Sequence, residues 1–316
     1  MTTIVAKRHP LKFYLTVGFA FLFFCGMGTL MAFLFLAELS HGDMKPKEYL
    51  IPAFSAGSYF VAVYTVIKYF KNAPIIRLGN GRIAFGDSES YQLSEVVKVR
   101  LTGKKPFSYL ISFPMEGAML QFRNGSTKYF YDDMYANTWQ LKSFLEQVVV
   151  HKKGYAEVVG GKVTSDDLRY KITEEFKGNQ FTSLRGISLW GLIGFFLYLM
   201  AVKMKLPPIG GLLFFGAFGI FWFFLNSWLM HYFEVAEDYF VVRNHNLLWR
   251  QHIYRLSNMR EVVFETQGKM PNCLRVITKD YRNNMYPAGT LRDSTWLELK
   301  ERLEKEGVVV RNECIY

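Results

Sequence analysis

Cysteine is scarce in this sequence: Cys25, Cys273 and Cys314 are the three in a chain of 316 residues. Their spacing supplies neither a disulfide framework nor a zinc knuckle. That fits a reducing compartment and no structural metal. The histidines, His9, His41, His151, His231, His245 and His252, are scattered, with no H-E-x-x-H and no i,i+4 pair to hold a metal. His245 and His252 are placed to approach each other across a hairpin, and as half-buried strand residues they need no further role. A G-x-S-x-G elbow is missing too. Gly86-Asp87-Ser88 bears a superficial likeness to one and falls in a turn. Gly79-x-Gly81-x-x-Ala84 imitates a dinucleotide loop, but a strand follows where a helix should. No catalytic residue, metal or cofactor is expected, and no enzymatic activity.

Charge is absent from four long stretches: residues 13–37, 49–67, 186–202 and 209–230. A hydrocarbon core roughly 30 Å thick takes about 20 apolar residues of helix, and only helices or closed barrels satisfy their backbone there. The pattern predicts four transmembrane helices in two hairpins, 11–71 and 186–231. Burial in a protein core is the alternative, strongest for 49–67 and 186–202. The first run exceeds the 7–15 residues of a signal h-region, so a permanent span is expected.

The helices also lack ionisable groups at their centres, where transporters usually keep them. Asn226 is the nearest polar candidate, expected in a hydrogen bond between helices. Glycine and alanine at Gly28, Ala32, Ala53, Gly57, Gly191, Gly194, Gly216 and Gly219 are expected to let the helices pack closely.

Basic residues flank the runs unevenly. Lys7, Arg8 and Lys12 precede the first helix; Lys68, Lys71, Arg77 and Arg82 follow the second; Lys171, Lys177 and Arg185 precede the third. The positive-inside rule then places both termini and both long polar segments in the cytoplasm. Lys203 and Lys205 oppose this for the second hairpin.

The polar segments repeat each other. Residues 91–97 read YQLSEVV and residues 254–263 read YRLSNMREVV. Each follows a hairpin, each sits among short β-branched and aromatic runs, and each leads to a helix, NTWQLKSFLEQVVV or STWLELKERLEKEGVVV. Thr138-Trp139 matches Thr295-Trp296, and Val148 to Val150 match Val308 to Val310. Asn80-Gly81 and Asn124-Gly125 between apolar runs predict tight hairpins. About seven antiparallel strands and a C-terminal helix are expected per copy, 74–150 and 232–312. The connecting segment 151–185 contains TSDDLRYKITEEFK, where Ser165 caps an expected amphipathic helix bearing Leu168, Ile172 and Phe176.

The stretches RIAFGDSESYQLSEVVKVRL and YFVVRN…RQHIYRLSNMREVVFE, with apolar spacings Leu93, Val96, Val99 and Leu256, Met259, Val262, resemble the bacterial PH-like domains that sit beside transmembrane hairpins. The likeness covers roughly 75–150 and 232–310. It implies an α+β membrane protein: four transmembrane helices, each hairpin followed by a cytoplasmic PH-like antiparallel β-barrel with a C-terminal helix. It also implies binding of headgroups, peptides or proteins. In such domains a basic loop between strands holds an anionic headgroup, and Lys98, Arg100, Lys104 and Lys105 stand in that place here. A solvated strand rim with ordinary positive-inside charge is the simpler account of the same residues.

The net charge of +11 is dispersed, so nucleic acid is not an expected partner. Membrane lipids and a protein partner or a homo-oligomer are. Three functions stay open: a non-enzymatic scaffold or regulator in the bacterial inner membrane, an immunity protein guarding the cell against a toxin, and a transporter or channel subunit.

Overall fold

The computed structural model describes residues 3–41, 49–157, 174–203 and 209–315. The chain divides into two compact units, residues 1–158 and 159–316. The expected linker 151–185 therefore straddles the division. Its predicted helix lies mostly outside the described residues, as do most of the two turns that join the helices of each hairpin.

In the first unit, β1 (Ile4–Val5) leads through a π-helical turn (Pro10–Leu15) into α1 (Thr16–His41), and α2 (Ile51–Asn72) returns. There follow β2 (Ile76–Gly79), β3 (Arg82–Phe85), β4 (Glu89–Gln92), β5 (Val96–Arg100), β6 (Lys104–Phe107), β7 (Phe113–Phe122), β8 (Thr127–Tyr131) and α3 (Thr138–Leu145). The second unit runs β9 (Glu174–Phe176), α4 (Leu184–Lys203), α5 (Ile209–Trp228), β10 (His231–Val235), β11 (Tyr239–Asn244) and β12 (Gln251–Arg255). It continues with β13 (Met259–Thr266), β14 (Asn272–Thr278), β15 (Asn283–Pro287), α6 (Asp293–Lys305) and β16 (Val309–Asn312).

The helices α1, α2, α4 and α5 are long and apolar enough to cross a membrane. Burial within the chain covers only 17 % of the apolar stretch of α2 and 11 % of that of α4. Core helices would be covered, so that alternative fails for both runs.

Each unit carries its hairpin between two strands that pair with each other. β1 lies antiparallel to β2, with Ile4 opposite Leu78, and the first sheet runs β1-β2-β3-β4. β9 lies antiparallel to β10, with Phe176 opposite Phe233, and the sheet runs β12-β11-β10-β9. The repeat thus begins before each hairpin, not after it. Glu174–Phe176, expected at the end of a helix, is instead this strand, with Phe176 in the core of the unit.

Side chains reinforce the first clamp. Asn137, which precedes α3, donates Nδ2 to the Val5 carbonyl (2.9 Å) and accepts the Lys7 amide (2.8 Å), and makes no side-chain cap. Arg8 donates Nε to the Ala73 carbonyl (2.9 Å) and lies over the Phe70 ring at 4.6 Å.

The repeated Tyr-x-Leu-Ser is a corner between two sheets. Its strand ends in a 3₁₀ turn, Leu93–Glu95 or Leu256–Asn258, and a new sheet begins. The Leu93 amide bonds to the Gly81 carbonyl (2.8 Å) and the Leu256 amide to that of Asp238 (2.9 Å), so both corners close the same way. Both strands that follow are bulged after their first residue, between Val96 and Lys98 and between Met259 and Glu261. Val96 therefore matches Met259, as the apolar spacing predicts. Glu95-Val96-Val97 does not match Glu261-Val262-Val263; the shared letters are offset by three residues.

The second sheets are β5 and β6 on β7, with β8 beyond, and β15-β14-β13-β16. Among the described residues no ladder closes either pair of sheets into a barrel. The 3₁₀ corner carries the chain to a new sheet instead of extending the old one, so the expected barrel is an open pair of sheets.

The helices seal the cores. Trp296, Leu299 and Leu303 are fully buried on α6; Thr138, Leu141 and Leu145 take the same phase on α3. Thr138, not the half-exposed Trp139, is thus the counterpart of Trp296. A large apolar side chain buried this way contributes about 1.5–3 kcal/mol. The two valine triplets also differ. Val148 to Val150 end α3 in a π-helical turn, whereas Gly307, at φ +76°, stops α6 and sends Val309 into β16. A left-handed residue just past a helix end favours glycine.

The turns behave in two ways. Asn80 and Gly81 both have positive φ (51° and 70°), as a type I′ hairpin requires. At Asn124-Gly125 only Gly125 does (81°), and Asn124 Oδ1 instead accepts the Ser126 amide at 3.0 Å.

Candidate functional site

β5 is a half-used strand. One edge pairs with β7, Lys98 opposite Gln121 and Arg100 opposite Met119. Its other edge pairs with no strand among the described residues. Lys98 and Arg100 are exposed there, and Val97 is 69 % exposed.

The basic cluster does not stay together. Lys104 and Lys105, expected in a loop, belong to β6, which pairs with the first half of β7 on the same side as β5. β5 and β6 are one strand broken at Leu101–Gly103, where Gly103 has φ +97° and its amide bonds to the Glu116 carboxylate (2.5 Å). The break rotates Lys105 inward: it is only 6 % exposed, and its Nζ donates to the Thr102 carbonyl at 2.9 Å. Lys98 and Arg100 are the accessible cations of the four, with Lys104 half-buried.

An open groove of about 520 Å³ begins beside the first residue of β5. Val96 and Leu93 line it from the corner, Val148 and Val149 from the end of α3, and Gln92 and Lys152 supply polar margins. Apolar walls, an open strand edge and neighbouring cations suit an extended segment with apolar and acidic side chains.

In the second unit the equivalent edge is occupied. β16 lies parallel along β13, Glu261 opposite Val309 and Phe264 opposite Asn312. Arg311 Nε stands 3.7 Å from the Glu261 carboxylate.

A second concentration of polar groups was not legible from spacing. His231 and His252 flank the Tyr286 ring, with centroids at 5.5 and 5.3 Å, and Tyr286 shares a hydroxyl hydrogen bond of 2.5 Å with Tyr254. His231 Nδ1 contacts the Pro287 carbonyl (2.9 Å). His245 packs on Tyr232 (5.0 Å) and meets Thr290 Oγ1 at 3.1 Å. His245 and His252 therefore serve different neighbours. Burial pushes His231 down to about 4, and burial with nearby Lys177 pushes His245 down to about 4. Burial also raises Tyr286 and Tyr254. Asn244 Nδ2 donates to the Ser227 carbonyl (2.6 Å) and Asn246 Nδ2 to its hydroxyl (3.0 Å), fastening the end of α5 to the β11 turn. The cluster is a neutral, hydrogen-bonded joint between helix and sheet. Among the described residues no group of three His, Cys, Asp or Glu side chains is placed to hold a metal.

The helix-packing residues divide. Gly28 meets α2: an added Cβ would stand 3.0 Å from the Tyr59 ring, and Ser55 Oγ donates to the Gly28 carbonyl at 2.8 Å. Ala32 is half-buried on the same helix. Ala53, Gly57, Gly191, Gly194 and Gly216 are exposed, and Gly219 has open space where a Cβ would go. Among the described residues of this chain, no helix packs closely on those six. Between α4 and α5 large rings meet instead, Phe196 with Phe215 at 5.2 Å, and Trp222 Nε1 donates to the Ser188 carbonyl (3.2 Å). Asn226 bonds within its own helix, to the Trp222 carbonyl at 3.0 Å.

No family model matches the chain, and no curated protein matches it.

Proposed function

We propose that the chain is a non-enzymatic scaffold or regulator of the bacterial inner membrane, whose two extramembrane units are PH-like binding domains. The sheets and closing helix of each unit and both termini lie in the cytoplasm, and the sheets of the first unit present the binding surface to a protein, a peptide or an anionic headgroup. The observation that carries this reading is the open β5 edge, with Lys98 and Arg100 exposed on it and the apolar groove beside it. The sheet order of the first unit supports the PH-like assignment: four strands, a corner, an antiparallel second sheet and a closing helix, with the hairpin inserted after the first strand; the second unit keeps this order and adds the parallel strand β16 after its helix. A Lys or Arg held near an anionic leaflet adds about 1 kcal/mol of attraction, so lipid is a natural second contact.

The test is crosslinked affinity purification from native membranes, wild type against Lys98→Glu/Arg100→Glu. The proposal expects a specific protein or bound anionic lipid from the wild type and its loss from the variant. Recovery of neither, together with ion flux in proteoliposomes, would replace binding with transport.

A further inference from the structure

The two units treat one sheet edge differently, and the difference has a chemical sign. β5 and β13 are equivalent strands, each following the Leu-Ser corner and each bulged after its first residue. By that alignment Lys98 stands where β13 has Glu261. In the second unit the chain fills this edge itself: Val308 bonds back to the Leu303 carbonyl at 3.0 Å, and β16 then runs parallel to β13. In the first unit the described residues that follow α3, up to Glu157, add no strand to this edge. The Gln147 side chain takes the Ala156 backbone as a partner in both directions (2.9 and 2.8 Å), and Phe144 packs on Tyr155 at 5.1 Å.

We infer that the β5 edge takes an extended segment of a partner protein, added parallel to β5 as β16 is added to β13. The inference rests on the binding-domain reading above. Backbone hydrogen bonds to the edge provide the affinity, and alternate side chains the selection. The segment carries an acidic residue diagonal to Lys98, two positions beyond the residue directly opposite it, as β16 places Val309 opposite Glu261 and reaches its carboxylate with Arg311; its apolar residues enter the groove at Val96, Val148 and Val149. A second copy of this chain is a poor occupant, because its own β16 would set Arg311 against Lys98. An open edge of this kind otherwise invites unspecific pairing; the exposed lysine and arginine restrict it to acidic strands.

The test uses the full-length protein in detergent and a fluorescent synthetic peptide copying residues 307–315 with Arg311→Glu and Cys314→Ser. This peptide is expected to bind about tenfold more tightly than the version retaining Arg311. Lys98→Glu, a change at an exposed site that preserves the fold, should reverse the preference, and Lys98→Gln should remove it. The outward amides of Val97–Arg100 should exchange with solvent in the protein alone and become protected on binding. Binding of neither peptide, equal binding of both, or a preference unmoved by Lys98→Glu overturns the inference. So does protection of those amides before peptide is added, which would mean that the edge is already covered. Protection by phosphatidylglycerol vesicles but not by peptide would assign the edge to lipid instead. A partner recovered through another surface would leave the scaffold standing and remove only this inference.

Discussion

Lys98 and Glu261 occupy the same position of the same bulged strand in the two units and carry opposite charge. Glu261 faces Arg311 of its own chain, while Lys98 faces an edge to which no described strand is added. A duplicated fold has therefore kept its corner, bulge and helix phase and diverged at one edge. On the proposed binding reading, divergence there changes what binds while leaving the core intact.

The pair Lys142–Asp132 is wholly buried, with Nζ 2.6 Å from the carboxylate. Lys142→Met strands a buried negative charge and should destabilise the first unit by about 3–5 kcal/mol. Lys142→Met/Asp132→Leu should recover most of that loss. Thermal unfolding of the three proteins in detergent checks both statements.

His231 and His245 set a pH dependence. Each is held neutral in the fold, near 4, whereas the unfolded side chain titrates near 6.5. The unfolded state then binds more protons between those values, so stability is full above about 6.5 and falls as pH drops towards 4. Each histidine contributes on the order of 3 kcal/mol across that window. The melting temperature of the second unit should fall between pH 7 and pH 4.5, and His231→Gln should flatten the slope.

Gly28 and Gly57 have the same residue type and different surroundings. Gly28→Leu drives a side chain into the Tyr59 ring and should cost about 1–3 kcal/mol. Gly57→Leu meets open space and should leave stability unchanged. Melting temperatures of the two variants measure the contrast.

What the residues disclosed and what they concealed follow one rule. Long charge-free runs announced α1, α2, α4 and α5, because hydrophobic length is summed over many positions. Positive φ at Asn80 and Gly81 needed only two residues whose chemistry permits it. The spacings Leu93-Val96-Val99 and Leu256-Met259-Val262 found the corner. By contrast, β1 and β9 hold two and three residues, too few for any period, and their partners lie across an entire hairpin. Lys105 reads as a surface cation until the break at Gly103 turns it inward. The small residues of the helices showed spacing without showing which face met a neighbour. The His231–Tyr286 cluster depends on three strands aligning and leaves no mark in sequence separation.

Membrane orientation has its own test. Cysteines placed singly at Asn124 and Gly268, both exposed turn residues, in a background lacking the native three, should resist an impermeant maleimide in intact spheroplasts. Both should label after lysis. Labelling of either in intact spheroplasts places that unit outside.

The most direct measurement is photo-crosslinking in living cells from a benzoylphenylalanine at position 97, in place of the exposed Val97 of the β5 edge. The account predicts one discrete protein adduct that Lys98→Glu/Arg100→Glu abolishes, and no such adduct from the same probe at the exposed Leu248 of the second unit. An absent adduct at position 97, or one indifferent to the charge reversal, would contradict it.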